Sequence, residues 1–143
     1  MLFTNNQEKH IINAIQQVEK FTTGEIRVYV DMLLQGDPLA EAQRLFYKLE
    51  MQKTKNKNGV LIYVSENKKK VAVVGDENIH SFVNQSFWNN LIEEILHSFK
   101  NKQFDIGILT AIKKIGEQLI KYFPSTTENF GINQIPNEII YNK

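Results

Sequence analysis

Cysteine is absent from this 143-residue chain. That one absence removes disulfides, thiolate zinc sites, iron–sulfur clusters and a cysteine nucleophile. Histidine occurs only at the scattered positions His10, His80 and His97, which disfavours a histidine-based metal cage. A metal site in such a chain would be built from oxygen, and oxygen donors favour calcium or magnesium. Arginine is scarce: only Arg27 and Arg44 stand among 17 basic residues, so bidentate recognition of phosphate or carboxylate is sparse. The net charge is +1, and no basic stripe interleaved with aromatics marks a nucleic-acid partner. No apolar run approaches the roughly 18 residues of a membrane span. The opening MLFTNNQEKH has neither an apolar h-region nor a small-residue cleavage site. The expectation is a soluble, cytoplasmic, monomeric protein. Neither G-x-x-x-x-G-K-[ST] nor G-x-G-x-x-G is present, which weighs against the common nucleotide loops. Thr22, Thr54 and Ser65 have no histidine at a suggestive position, so a serine-hydrolase arrangement has no support.

What is present reads as one folded domain. Apolar residues make up 42% and charged residues 23% of the chain, a globular balance. Ile11, Ile12, Ile15 and Val18 recur at helical spacing, predicting a first helix capped by Asn5 or Asn6 and running to about Thr22, with Gly24 as its stop signal. EIRVYVD (Glu25–Asp31) alternates, with Ile26, Val28 and Val30 on one face, and predicts a strand. Asp37-Pro38 starts a second helix with Leu39, Ala42, Phe46 and Leu49 as its apolar stripe. Residues 59–64 form an apolar run of the kind buried on both faces. After SENKKK comes Lys70–Gly75, too soon for a crossover, so the two strands form an antiparallel hairpin. A third helix from about Asn78 carries Phe82, Trp88, Leu91, Ile92 and Ile95. A fourth, from about Phe104 to Tyr122, ends at Pro124. The fold class is therefore α/β: a βαβ crossover plus the hairpin, giving a small mixed sheet between helices in an αβα sandwich. Residues 1–124 make the domain and residues 125–143 a polar tail.

Chain direction brings distant residues together. The starts of the first two strands and the end of the third lie at one end of the sheet. Thr22, Thr23, Gly24, Glu25, residues 54–59 and residues 75–78 therefore converge beside the N-terminus of the third helix. That helix start attracts anions. Glu25, Asp76 and Glu77 supply carboxylates, and Asn58 and Asn78 supply amide oxygens, which is the donor set a hard divalent cation requires. The structural reading stands beside it. Asp76 or Asn78 can simply cap the helix, Gly24 can be a helix C′ residue, and Asn58-Gly59 can be a turn. The opposite end, with Asp31, Asp37, Ser65 and Glu66, ranks second, because its tip SENKKK reads as a solvated turn. Trp88 is expected in the core, and His80 and His97 as surface or packing residues.

The same segments resemble a known family. FTTGEIRVYV (21–30), FYKLEMQKTKNKNGVLIYV (46–64), VAVVGDENIH (71–80), the Phe87-Trp88 pair and FDIGILTAIKKIGEQLIKYFP (104–124) are together similar to the TPM domain family. The most specific part runs from Thr54 and Asn58-Gly59 to Gly75-Asp76, Ile79 and His80. Thr23 stands where the family usually has serine. The resemblance implies an αβα sandwich, a phosphatase label, and an association of some members with divalent cations, chiefly calcium. Many members carry a signal peptide and a membrane anchor, and neither is seen here.

From residues and resemblance together, the expected function is a divalent-cation site at the GE/NG/GD end. Asp76 is the leading anionic ligand and the best catalytic candidate, Glu25 and Glu77 follow, and Asn58 orients ligands. Gly24, Gly59 and the amides near Asn78 would contact a phosphoester if the domain is a metal-dependent phosphatase. The alternative is a non-catalytic adaptor, calcium-responsive or purely structural, that meets a protein partner.

Overall fold

The computed structural model describes residues 2–125 and 139–142. Its elements are α1 (Asn5–Glu19), β1 (Glu25–Asp31), α2 (Pro38–Lys48), a short 3₁₀ turn (Met51–Lys53), β2 (Gly59–Ser65), β3 (Lys70–Gly75), α3 (Glu77–Lys100), α4 (Phe104–Tyr122) and β4 (Ile140–Asn142). The sheet order is β3-β2-β1-β4. β1 pairs parallel with β2, and β2 pairs antiparallel with β3. This is the predicted mixed sheet with one strand added. Of the tail, residues 126–138 lie outside the described residues, but Ile140–Asn142 pair parallel with β1.

Strand periodicity sorts the core into two layers. Ile26, Val28, Val30, Val60, Ile62, Val64, Val71 and Val73 pack with residues of α1, α3 and α4. Tyr29, Leu61, Tyr63 and Ala72 pack with Ala42, Leu45 and Phe46 of α2 and with Met51. Side chains alternate across a strand, so the sheet is covered on both sides and the sandwich has three layers. β2 is buried along its whole length, as its apolar run implies. The alternation of β1 leaves no wet face: Arg27, Tyr29 and Asp31 are buried as well.

Local chemistry sets the helix boundaries. α1 is capped by Thr4, not by Asn5 or Asn6; the Thr4 side chain accepts from the Gln7 N–H and the Gln7 side chain returns the bond, a capping box. The helix ends at Glu19, so Gly24 is not its C′ residue. Asp37 caps α2 by accepting from the Ala40 N–H at 2.9 Å, with Pro38 in the first turn. Asp76 caps α3, which starts at Glu77. One expectation fails inside α3. Phe82 does not join the stripe of Trp88, Leu91 and Ile95; it is 48% exposed and stacks on Tyr122 with ring centroids 4.4 Å apart. The cause is Asn84, whose φ of 68° and ψ of 170° break the helix and put the preceding residues out of phase with those that follow.

Candidate functional site

Strand register builds the site. Glu25 pairs with Gly59 across the β1–β2 ladder. The Asp76 N–H donates to the Gly59 carbonyl at 2.9 Å, continuing the β2–β3 ladder by one residue. Glu25, Gly59 and Asp76 thus form one row across three strands, all on the side of the sheet that carries α2. Strands lie about 4.8 Å apart, so the Glu25 and Asp76 backbones are about 10 Å apart with a side-chain-free residue between them. Gly59 sits at a close approach: a Cβ there would lie 3.2 Å from the Met51 carbonyl oxygen, so the loop would have to give by a few tenths of an ångström.

The loop over this row is held by hydrogen bonds. Thr23 Oγ1 accepts from Asn56 Nδ2 at 2.8 Å and from Asn58 Nδ2 at 3.1 Å. The Asn58 N–H donates to Thr54 Oγ1 at 3.2 Å. From the other side, Asn78 Nδ2 donates to the Asn56 carbonyl at 2.8 Å and the Asn78 N–H to the Lys57 carbonyl at 3.1 Å. Thr23 is the hub, and a hydroxyl is what the position needs. The Asn58 carboxamide is fully buried, and its nitrogen is committed to Thr23. Its Oδ1 has no hydrogen-bond partner among the described residues. Asp76 is divided in the same way: Oδ1 accepts from the Glu77 N–H at 2.8 Å, and the buried Oδ2 has no such partner. Gln52 Oε1, from the 3₁₀ turn of the same loop, is a third buried oxygen in this condition. Glu25 is buried; Glu77 is exposed.

Sequence reasoning missed Thr23 and Asn56 as organisers and Gln52 as a donor. No local pattern separates Gln52 from its neighbours in EMQK, and the two bonds to Thr23 exist only once β1 and the loop meet.

The TPM domain profile matches residues 1–118. The chain belongs to the TPM domain family. No curated protein matches it. Among solved structures, the NMR structure of the BA42 protein from the psychrophilic bacterium Bizionia argentinensis is 37% identical, covers 98% of this chain and 95% of its own, and superposes with a TM-score of 0.88. The N-terminal domain of a protein from P. gingivalis, 14% identical over 85% of this chain and 79% of its own, shares the fold with a TM-score of 0.73.

In this TPM domain the start of α3 is not an open anion cradle. The N–H groups of Asp76, Glu77 and Asn78 go to the Gly59 carbonyl, Asp76 Oδ1 and the Lys57 carbonyl. Gly24 offers its N–H to Thr22 Oγ1 at 3.0 Å. A Cβ at Gly24 would meet Leu119 Cδ2 at 2.6 Å and displace that buried side chain. The backbone N–H groups of Gly24 and Asn78 are thus already bonded within the protein. At the opposite end, Asp31 accepts from the Tyr63 hydroxyl and the Leu33 N–H, Asp37 is a cap, and Ser65 Oγ donates to Asn67 Oδ1 at 2.7 Å. At the same end Glu66 Oε1 is buried without a hydrogen-bond partner among the described residues. No cluster of three or more histidine, aspartate or glutamate side chains able to hold a metal occurs among the described residues. A cation at the Asp76 end would have to complete its shell with amide and carbonyl oxygens or water. Among the described residues no helix is long and apolar enough to cross a membrane.

His80 lies next to this row and is not a free surface residue. The Trp88 indole N–H donates to His80 Nδ1 at 3.0 Å. An indole can donate only to an unprotonated nitrogen, so the neutral ring carries its proton on Nε2.

Proposed function

We propose that this TPM domain binds a divalent cation, calcium or magnesium, through oxygen donors at the rim where β1 and β2 begin and β3 ends. The observation that carries the reading is the pair of buried oxygens, Asn58 Oδ1 and Asp76 Oδ2, left without hydrogen-bond donors. A buried acceptor without a partner costs about 1–3 kcal/mol, and a hard cation reverses that cost. Both groups are pre-oriented by their other atom, Asn58 through Thr23 and Asp76 through the Glu77 N–H, as ligands usually are by an outer layer of hydrogen bonds. Glu25 is the second acid of the row and Gln52 Oε1 a further amide donor; Glu77, exposed, serves at most the outer side. Amide and carboxylate oxygens are the donors calcium and magnesium take.

Phosphoester hydrolysis is the second reading, favoured by His80, whose Nε2–H has no hydrogen-bond partner among the described residues and would donate to an oxygen beside Asp76. A bound cation supplies a Lewis acid for a phosphoryl oxygen. The chain's own contribution would be that hydrogen bond and the orientation of Asp76.

The test is thermal unfolding with and without each cation, for the parent and for Asp76→Asn. Asparagine is as good a helix cap as aspartate, so the fold survives the change. Cation at a hundred times its dissociation constant stabilises the parent by about 2.7 kcal/mol, and the variant much less. A parallel assay with p-nitrophenyl phosphate separates the readings. Cation-dependent turnover lost in Asp76→Asn establishes chemistry, while stabilisation without turnover leaves a binding domain. No stabilisation by either cation at millimolar concentration overturns both.

A further inference from the structure

We propose that the outer edge of β3 receives an extended peptide as an added, antiparallel fifth strand. The inference does not depend on the cation site. Among the described residues β3 is the terminal strand of the sheet, and its register shows which groups face outward. The Asp76–Gly59 bond marks a hydrogen-bonded pair, and such pairs alternate along an antiparallel ladder. Val74 and Ala72 therefore bond to Leu61 and Tyr63, while Val71, Val73 and Gly75 stand in the non-bonded pairs. The N–H and C=O groups of these three residues point away from β2, toward the edge. Unpaired strand edges are templates for another strand.

The surroundings of the edge are shaped for one strand. Two adjoining hollows of about 250 Å³ and 480 Å³ lie along the second half of this edge, from Val73 onward, and share Gln43 of α2, Val74 and Gly75 of β3, and His80 of α3; the larger continues to Asp76 and Glu77. Leu39 and Tyr47 of α2, 46% and 63% exposed, line one side. Trp88 and Gln85, just past the break at Asn84, line the other. With helices rising on both sides, the groove admits a single extended chain rather than a second sheet carrying its own helices. His80 Nε2–H and the Gln43 carboxamide offer polar contacts at its rim.

An antiparallel ladder is the slightly more stable pairing and the one β3 already makes with β2; given that direction, charge sets the chemistry of the occupant. Lys68 and Lys70 are exposed at the start of β3, and Glu77 is exposed just past its end. Six residues of strand separate these charges by about 20 Å. An antiparallel peptide would place its amino-terminal side beside Glu77 and its carboxy-terminal side beside the lysines. The structure therefore assigns a segment that is basic at its start, alternating and apolar in its middle, and acidic at its end.

The experiment titrates a probe peptide of two lysines, alternating valines and threonines, and two glutamates into the full-length 15N-labelled protein. The expected signature alternates. The amides of Val71, Val73 and Gly75 shift downfield, those of Ala72 and Val74 move little, and the Trp88 indole signal responds. The same probe N-methylated at alternate backbone positions loses binding, which tests the backbone ladder without altering the protein. A probe with its charges reversed binds at least tenfold more weakly, and Lys70→Glu with Lys68→Glu, both at exposed positions, inverts that preference. Shifts without alternation, equal binding of the N-methylated probe, or no binding at millimolar probe overturns the proposal. So does sedimentation showing self-association with the alternating pattern before any peptide is added, because a second copy would then occupy the edge.

Discussion

Gly75→Ala probes the contact that joins the sheet edge to α3. A Cβ at Gly75 would lie 2.4 Å from Trp88 Cζ2, 2.9 Å from Cη2 and 3.2 Å from Cε2, where carbon atoms at rest sit about 3.5–4.0 Å apart. The indole must withdraw by about 1 Å, which stretches its 3.0 Å bond to His80 beyond useful length. Overpacking costs about 1–3 kcal/mol and the lost hydrogen bond about 0.5–1.5 kcal/mol. Alanine returns about 0.4–1 kcal/mol by stiffening the unfolded chain, leaving a net loss of about 2–3 kcal/mol. Urea unfolding followed by far-ultraviolet circular dichroism should show the midpoint falling by about 1 M. Trp88 is the sole tryptophan, so its emission reports the displaced ring directly. In a Trp88→Phe background, where the clashing atoms are gone, the same substitution should cost much less, the sign of direct coupling. An unchanged midpoint with unchanged emission would mean that the ring has room to spare and that the Gly75–Trp88 contact does not limit stability.

Asn84→Gly should stabilise the protein by about 1 kcal/mol, raising the thermal midpoint by about 3 °C, because φ 68° with ψ 170° is a conformation glycine adopts without strain. Differential scanning calorimetry checks this, and a fall in midpoint counts against it. Thr22→Val removes the hydroxyl that faces the Phe123 and Leu119 carbonyls at 2.6 Å and 3.0 Å and accepts from the Gly24 N–H; a loss of about 1–3 kcal/mol is expected, while Thr22→Ser stays near the parent. Burial first, then hydrogen bonds to Asp31 and Glu8, push the Tyr63 and Tyr141 hydroxyls well above the ordinary 10.0. Because the folded values are raised, this stability is fully present below about pH 10 and is lost as pH rises beyond it. Phenolate absorbance from these two rings should therefore appear only together with loss of secondary structure, and Tyr63→Phe should flatten the alkaline decline.

Much of the fold is written in local pattern. The alternation of EIRVYVD, the apolar run of β2 and the short SENKKK reversal determine the three-stranded sheet and hence which ends meet. The convergence of Glu25, Gly59 and Asp76 follows from direction alone. What was not legible depends on contacts between distant segments. β4 is three residues long and exists through pairing with β1, with the Tyr141 hydroxyl donating to Glu8 of α1; nothing periodic announces so short a strand. Asn84 looks like any exposed helix asparagine, so the phase change that frees Phe82 from the core stripe could not be seen. Gly24 read as a helix terminator, yet its constraint is Leu119, far along the chain. The candidate site shows the same division. Its carboxylates and Asn58 were visible as residue types, whereas the bond from Asn58 Nδ2 to Thr23 that leaves Oδ1 over, and the burial of Gln52 Oε1, required the assembled loop.

If Asn58 Oδ1 and Asp76 Oδ2 hold a divalent cation as proposed, the side-chain carboxamide of Asn58 reports on it most directly. Followed by 15N-resolved NMR during calcium and magnesium titrations, its Nδ2 resonances should move saturably as the oxygen is coordinated. The Asp76 and Glu77 amides should move with them, and Asp76→Asn should weaken the response at least tenfold. Asn58 signals that stay fixed through millimolar concentrations of both ions, with the fold intact, would rule out a cation at these oxygens.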